Sequence, residues 1–234
     1  MTLFSILVVG LLLGLKHATE ADHLAAVATL VTRQSSLAQT LKQGVAWGVG
    51  HTLTLMMFAG AVFMLGEVIT PGLEQALETA VGIMLIGLGA DVLRRLVRER
   101  IHFHVHRHGP AIEHVHAHSH RGEGGHERSP HRHAHARNWP LRALAVGVMH
   151  GLAGSAALVV LSLKSVPSLS LGFVYIAVFG IGSIVGMAIL SMVIALPLRI
   201  SAGYLVGLHR SMTALVGVFS CALGLAMVLR VGYF

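Results

Sequence analysis

Six long apolar runs, separated by stretches that hold most of the charges, constrain this chain more than any other feature. Only 12% of its residues are charged, whereas a soluble domain has about a quarter of its residues charged. A run of about 18 or more mostly apolar residues is long enough to cross the hydrocarbon core of a bilayer as a helix. The runs occupy residues 3–31, 44–66, 73–94, 141–163, 169–197 and 203–230. The sequence therefore predicts an all-α integral membrane protein with about six transmembrane helices.

The basic residues predict how these helices are oriented. Arg33 and Lys42 lie in the first connection, and ten of the seventeen Lys and Arg residues lie between Arg94 and Arg142. Because cytoplasmic loops carry an excess of Lys and Arg, we expect the odd-numbered connections in the cytoplasm and both termini in the periplasm of a multi-pass protein of the bacterial inner membrane. The formal net charge of +7 is then a topology signal, so we expect the lipid bilayer and no nucleic acid as a partner.

The third connection, residues 97–139, differs in composition from the rest of the chain. Twelve histidines lie between His102 and His135, many of them at every second position. This composition predicts a poorly ordered cytoplasmic loop. Alternating imidazoles can chelate divalent transition metals at many weak sites, and the alternative is a solvated loop with no role in metal binding. The candidate loop ligands are His102, His104, His106, His108, His114, His116, His118, His120, His131, His133 and His135.

Residues of the first three runs recur in the last three at nearly constant offsets. The offset is 133 residues between the first and fourth runs, 132 between the second and fifth, and 135 between the third and sixth. The matching residues are Gly14 and His17 with Gly147 and His150, Gly48 and Gly50 with Gly180 and Gly182, and Gly82 and Gly89 with Gly217 and Gly224. Because three spans per half is an odd number, the two three-helix halves, residues 1–96 and 140–234, would have opposite orientations in the membrane. Inverted repeats of this kind are typical of transporters, whose binding site lies between the halves.

Ionisable residues interrupt the first run in the motif His17-Ala-Thr-Glu20-Ala-Asp22-His23. Such side chains are costly at membrane depth, so each of them is a functional candidate. At about 100° per residue, His17, Glu20 and His23 share one face of an unbroken helix, whereas Asp22 points to nearly the opposite side. Either Glu20 completes the set of ligands, or the helix is locally unwound and Asp22 lies on the same side as the two histidines. The first run is long for a single span, which favours an irregular turn at the motif.

The motif predicts a site for a transition metal within the membrane. Two imidazoles and a carboxylate suit borderline divalent ions such as Ni²⁺, Co²⁺ or Zn²⁺ better than Mg²⁺ or Ca²⁺. A helix end with solvated charges is one alternative, and it fits poorly because residues 24–31 continue the apolar run. A metalloprotease is another, but its motif has two histidines one helical turn apart with a glutamate beside the first, unlike His17 and His23. We therefore expect no enzymatic activity.

Other runs supply further candidates. His51 lies beside Gly48 and Gly50 in the second run, and glycines let a neighbouring helix approach closely, so we expect His51 to be a ligand from outside the motif. The alternative, for His51 as for His150, is a histidine that merely packs in the core. The candidate pathway or secondary residues are Thr52, His150, Ser155 and Asp91.

The segment Lys16-His17-Ala18-Thr19-Glu20-Ala21-Asp22-His23 resembles the signature of the nickel/cobalt transporter superfamily. Gly50-His51-Thr52 is similar to a second signature of that family, and Gly186-Met187 to a third. Because the eight-span members carry further carboxylates in their second half, the chain resembles more closely the shorter, urease-accessory-like (UreH-type) branch. The resemblance implies a metal site built from the motif and His51, with Ni²⁺ or Co²⁺ as the transported substrate.

These features predict nickel or cobalt transport across the bacterial inner membrane, with uptake as the expected direction and without a catalytic cofactor. Two alternatives stay open. One is an efflux permease of the same superfamily, and the other is a membrane metal store or chaperone for urease or hydrogenase assembly. The partners expected besides the metal ion are a cytoplasmic nickel chaperone or urease or hydrogenase maturation proteins, and the oligomeric state is left open.

Overall fold

The computed structural model describes residues 3–34, 36–65, 70–98, 102–107, 113–118, 140–152 and 169–231. Within these ranges the chain forms seven helices and two short strands. The helices are α1 (Leu3–His17), α2 (Ala21–Val31), α3 (Leu37–Leu65), α4 (Pro71–Arg98), α5 (Leu141–Gly151), α6 (Leu169–Tyr204) and α7 (Val206–Val231), and the strands are β1 (His102–Arg107) and β2 (Glu113–His118). The predicted helices are therefore confirmed for the described part of the apolar runs, while residues 153–163 of the fourth run lie outside it.

Among the described residues, three helices are long and apolar enough to cross a membrane, namely Pro71–Arg98, Ser170–Ala202 and Val206–Arg230. Their outward faces are apolar. The exposed fractions of Ile83 and Leu215 are 60% and 69%. Extended apolar surfaces of this kind are unfavourable in water, whereas lipid tails match them. The helices are thus compatible with a membrane protein.

The first apolar run forms two helices rather than one. α1 ends at His17, α2 begins at Ala21, and a turn joins them. In this turn the N–H of Thr19 donates to the carbonyl oxygen of Lys16 at 2.9 Å, and the N–H of Glu20 to that of His17 at 3.1 Å. Glu20 then takes an extended conformation, with φ −63° and ψ 150°. The irregular turn expected from the length of the run is confirmed, and it changes the direction in which the following side chains point.

Two of the contacts between helices have the same geometry. α1 packs along α6, α3 lies against both α5 and α6, and α4 packs along α7. A methyl group at Gly14 of α1 would lie 2.0 Å from the carbonyl oxygen of Phe179, and one at Gly147 of α5 would lie 2.1 Å from that of Trp47. Gly147 follows Gly14 by 133 residues, and Phe179 follows Trp47 by 132, which are the offsets of the sequence repeat. The α1–α6 and α3–α5 contacts are therefore equivalent.

We expect Gly147→Ala to destabilise the protein strongly, because the added Cβ would overlap backbone atoms of α3 that cannot swing aside. Overpacking of a well-packed core costs about 1–3 kcal/mol or more. Gly87→Ala is the matched control on another helix, since no atom lies within 4 Å of its added methyl group. Thermal unfolding in detergent measures both variants. Equal unfolding midpoints would contradict the close approach of α5 to α3.

Two short strands lie in the histidine-rich loop. β1 and β2 pair antiparallel, with His102 opposite His118 and His106 opposite His114. The predicted loop therefore includes two short strands, and the alternation of histidine with Phe103 and with other apolar residues has the two-residue period of a strand. Poor order and metal binding by the loop stay predictions. The loop candidates that lie outside the described residues are His108, His120, His131, His133 and His135.

Candidate metal centre

Three histidines from different parts of the chain meet at the turn between α1 and α2. His17 is the last residue of α1, His23 lies in the first turn of α2, and His51 comes from the middle of α3. Their side chains are 4%, 1% and 0% exposed. The ring centroids of His17 and His23 are 4.3 Å apart, and those of His23 and His51 are 5.1 Å apart. We call these three residues the histidine cluster.

Two nitrogen atoms of the histidine cluster are spaced as neighbouring ligands of one ion would be. One nitrogen of each ring lies within 4.8 Å of the other two, and Nε2 of His17 is 3.1 Å from Nε2 of His51. Two nitrogens that each lie about 2.1 Å from an ion, at right angles, are about 3.0 Å apart. Nε2 of His23 is buried without a hydrogen-bond partner among the described residues, although buried polar atoms are nearly always paired. Three imidazoles suit Ni²⁺, Co²⁺ or Zn²⁺.

Glu20 and Asp22 each contact Nδ1 of a nearby histidine. Oε1 of Glu20 lies 3.0 Å from Nδ1 of His17, and Oδ1 of Asp22 lies 3.0 Å from Nδ1 of His23. On an unbroken helix the two carboxylates would point to opposite sides, and the turn between α1 and α2 lets both reach the cluster. A carboxylate on one ring nitrogen orients the imidazole and leaves the other nitrogen available to a metal. The direct ligation of an ion by either carboxylate stays a prediction.

His150 reaches the same place from the second half of the chain. It lies near the end of α5 and is 2% exposed. Its Nε2 is 3.0 Å from Oδ2 of Asp22, and its ring centroid is 4.2 Å from that of His23. The close approach of α5 follows from Gly147 and Gly151, which face the backbone of α3. Asp22 therefore contacts an imidazole from each half of the chain, one on each carboxylate oxygen.

Trp47 is a neighbour of the cluster that the sequence analysis did not select. It is fully buried, and its ring centroid lies 5.3 Å from that of His23 and 5.7 Å from that of His150. Its indole Nε1 has no hydrogen-bond partner among the described residues. Trp47 precedes His51 by four residues, so the two share a face of α3. This spacing is the signal that could have identified it.

Thr52 and Ser155 are two other predicted pathway residues. The hydroxyl of Thr52 donates to the carbonyl oxygen of Gly180 at 3.3 Å, which is a contact between α3 and α6. Ser155 lies outside the described residues. Thr52 therefore links α3 to α6 beside the site.

Asp91, the last predicted pathway residue, lies among three arginines. Its carboxylate pairs with Arg33, which follows α2, with Arg95 at 3.5 Å on its own helix, and with Arg142 of α5 at 3.2 Å. The groups of close metal-ligating atoms that the described residues form do not include it. Asp91 therefore links α4 by ion pairs to α5 and to the end of α2.

We expect Asp91→Ala to lower the unfolding midpoint by a few degrees and to leave metal affinity unchanged. The side chain is 31% exposed, and exposed ion pairs contribute about 0–1 kcal/mol each, so the loss of three contacts is a modest change in stability. Thermal unfolding and Ni²⁺ titration of the same preparation measure the two effects. Weaker metal binding by a folded Asp91→Ala variant would instead indicate that Asp91 is part of the ion pathway.

Comparison with known proteins identifies a relative that matches almost the whole chain. The chain is 32% identical over 231 residues to the urease accessory protein UreH of Bacillus sp. (strain TB-90). The alignment covers 98% of this chain and 93% of that protein. No family model matches the chain, and no solved structure matches it. The similarity extends over both halves and is not limited to the motif at His17.

Proposed function

The chain belongs to the family of the urease accessory protein UreH, and from this premise we propose that it transports a divalent transition-metal ion. The cargo is Ni²⁺ or Co²⁺, carried into the cell across the bacterial inner membrane. The observation that carries the proposal is the histidine cluster, three buried imidazoles in a largely apolar core. Side chains of this kind within membrane segments mark ion pathways. The name of the relative, a urease accessory protein, supports nickel.

The proposed architecture has six spans arranged as two inverted three-helix halves, residues 1–96 and 140–234. The equivalent contacts of α1 with α6 and of α5 with α3 support it. So does the α4–α7 pair, in which Gly82 faces the carbonyl oxygen of Gly224 and Gly89 faces that of Gly217. Residue 217 is the repeat equivalent of residue 82, and residue 224 is that of residue 89. If each residue is replaced by its equivalent, the contact of Gly82 with Gly224 becomes the contact of Gly217 with Gly89. Two antiparallel helices related by a two-fold axis have this property, and inverted halves around a central site suit transport.

The site chemistry indicates how an ion would be held. A hydrated ion exchanges its waters for the imidazoles of the histidine cluster. Neutral imidazoles do not offset the charge of a divalent ion in a medium of low dielectric constant, and the carboxylates of Asp22 and Glu20 beside the rings supply that negative charge. Three neutral nitrogen donors with carboxylates behind them favour ions such as Ni²⁺ over Mg²⁺, which prefers oxygen ligands.

Uptake of Ni²⁺ into liposomes that contain the purified protein tests the proposal. We expect metal-dependent signal from a dye trapped inside, well above that of protein-free liposomes, with competition by Co²⁺. A variant that lacks residues 102–135 is the second arm. We expect it to retain uptake, because the histidine cluster lies in the helical part of the chain.

Three outcomes would contradict parts of this proposal. A protein that binds Ni²⁺ but gives no uptake above protein-free liposomes would be a metal store. Loss of uptake on deletion of residues 102–135, in a variant that still binds metal at the histidine cluster, would make the loop part of the transport path. Lower nickel accumulation in cells that carry the protein than in cells without it would establish efflux.

A further inference from the structure

Asp22, His23 and His150 form a second group of close metal-ligating atoms beside the histidine cluster. Each residue offers one ligand atom within 4.8 Å of the other two. Oδ1 of Asp22 lies 3.0 Å from Nδ1 of His23, and Oδ2 lies 3.0 Å from Nε2 of His150, so each oxygen is about as far from an imidazole nitrogen as neighbouring ligands of one ion are from each other. The group contains a carboxylate and an imidazole from α5, neither of which belongs to the histidine cluster.

The two groups share His23 and do not merge into one site. Among the described residues, close atoms form two sets of three, and no set contains both His51 and His150. The ring centroids of these two residues are 5.8 Å apart, whereas His23 lies between them at 5.1 Å and 4.2 Å. Two ligand atoms about 2.1 Å from one ion are at most about 4.2 Å apart, so one ion cannot take ligands from all four histidines without movement of the rings.

The two nitrogens of His23 have different surroundings. Its Nδ1 faces Asp22, and its Nε2 is buried without a hydrogen-bond partner among the described residues. Imidazole can bind a metal through either nitrogen, and the proton of the neutral ring then occupies the other. With an ion on Nε2, the proton is on Nδ1 and is donated to Asp22. With an ion on Nδ1, the proton is on Nε2.

We propose that Asp22, His23 and His150 are a second metal site, to which an ion passes from the histidine cluster by exchange of ligands at the shared residue His23. The inference rests on the proposed transport function. The ion leaves His17 and His51 and gains Asp22 and His150, and because His150 belongs to the second half, the ion crosses between the halves at the shared residue His23. The second site also has a carboxylate in place of one of the three neutral donors, which compensates part of the ionic charge.

His150→Ala separates the two sites. With Co²⁺ as the probe, we expect X-ray absorption of this variant to show imidazole ligation at the histidine cluster with an affinity within a few-fold of the unchanged protein, while uptake into liposomes falls by about tenfold or more. His150→Gln, whose amide can still donate to Asp22, keeps the test valid if alanine disturbs folding. We expect it too to retain Co²⁺ affinity at the histidine cluster and to lose uptake. Val148→Ala on the outward face of α5, 40% exposed, is the control that retains both properties.

His51→Ala supplies the complementary measurement, which does not depend on transport. The second site lacks His51, so we expect weak residual Co²⁺ binding with two imidazoles and a carboxylate oxygen, and loss of that binding when His150→Ala is added. Residual binding that persists in the double variant, or full uptake by His150→Ala, would overturn the second site. Equal loss of affinity in folded His150→Ala and His51→Ala variants would replace it with a single four-histidine site. Failure of the unchanged protein to transport would refute the proposed function, whereas the binding spectra would still decide the site.

Discussion

His51→Ala is expected to weaken Ni²⁺ binding by more than about 100-fold and to reduce uptake to the level of protein-free liposomes. His51 supplies a nitrogen 3.1 Å from that of His17, from a helix outside the motif, so no other described side chain in the cluster takes its place. Loss of a partner that only orients a ligand costs about 10- to 100-fold in affinity, and loss of a ligand itself is expected to exceed that range. Calorimetric titration and initial uptake rates measure the two effects.

His209→Ala is the matched control for this prediction. His209 lies in α7, and its Nδ1 is 3.0 Å from the carbonyl oxygen of Leu198 and 3.3 Å from the hydroxyl of Ser201. It belongs to neither metal-ligating group of the described residues. The same change of side chain should therefore leave Ni²⁺ affinity unaltered. If His51→Ala binds as tightly as His209→Ala, the histidine cluster is not the metal site.

Local patterns in the sequence were sufficient to find most of the cluster. The excess length of the first run and the mismatch between Glu20 and Asp22 on a regular helix together predicted the turn that the structure contains. The glycines beside His51 predicted that this residue would meet another helix, and α5 does pack there. These predictions succeeded because each depends on a few consecutive residues and on the cost of ionisable groups in an apolar segment.

The contacts of Asp22 could not be predicted in this way. Its carboxylate joins His23, one residue away, to His150, which is 128 residues away. Sequence periodicity specifies the face on which a residue lies, but it does not specify which helix packs on that face. The sequence presented Glu20 and Asp22 as alternative ligands, whereas the turn places both carboxylates beside imidazole rings.

The proposed repeat also explains why the site is asymmetric within an otherwise equivalent scaffold. His17 and His150 occupy matching positions, but the residue that matches His51 is Ser183. The hydroxyl of Ser183 is buried without a hydrogen-bond partner among the described residues. The first half thus carries three imidazoles and the second half contributes one, so two inverted halves would present an ion with two unlike sets of donors.

Asp22→Asn is expected to reduce uptake by about 100-fold, near the upper end of the range for a residue that orients metal ligands. An asparagine has one carbonyl oxygen and an amide that only donates, so a hydrogen bond to one of the two imidazoles is lost or its tautomer changes. The substitution also removes the negative charge that the second metal site requires. Ni²⁺ affinity at the histidine cluster should fall less than uptake, because His17 and His51 keep their positions.

Glu20→Gln is the matched control, because it removes one carboxylate charge at the same turn. The side chain of Glu20 is 44% exposed, its carboxylate contacts Nδ1 of His17, and glutamine keeps an oxygen that accepts from Nδ1. We expect a loss of less than about tenfold in uptake, below the range for a residue that orients ligands. Initial rates for the two variants, measured at one pH and corrected for the amount of folded protein, provide the comparison. Equal losses would mean that the charge of the turn, rather than the bridge from Asp22 to His23 and His150, governs transport.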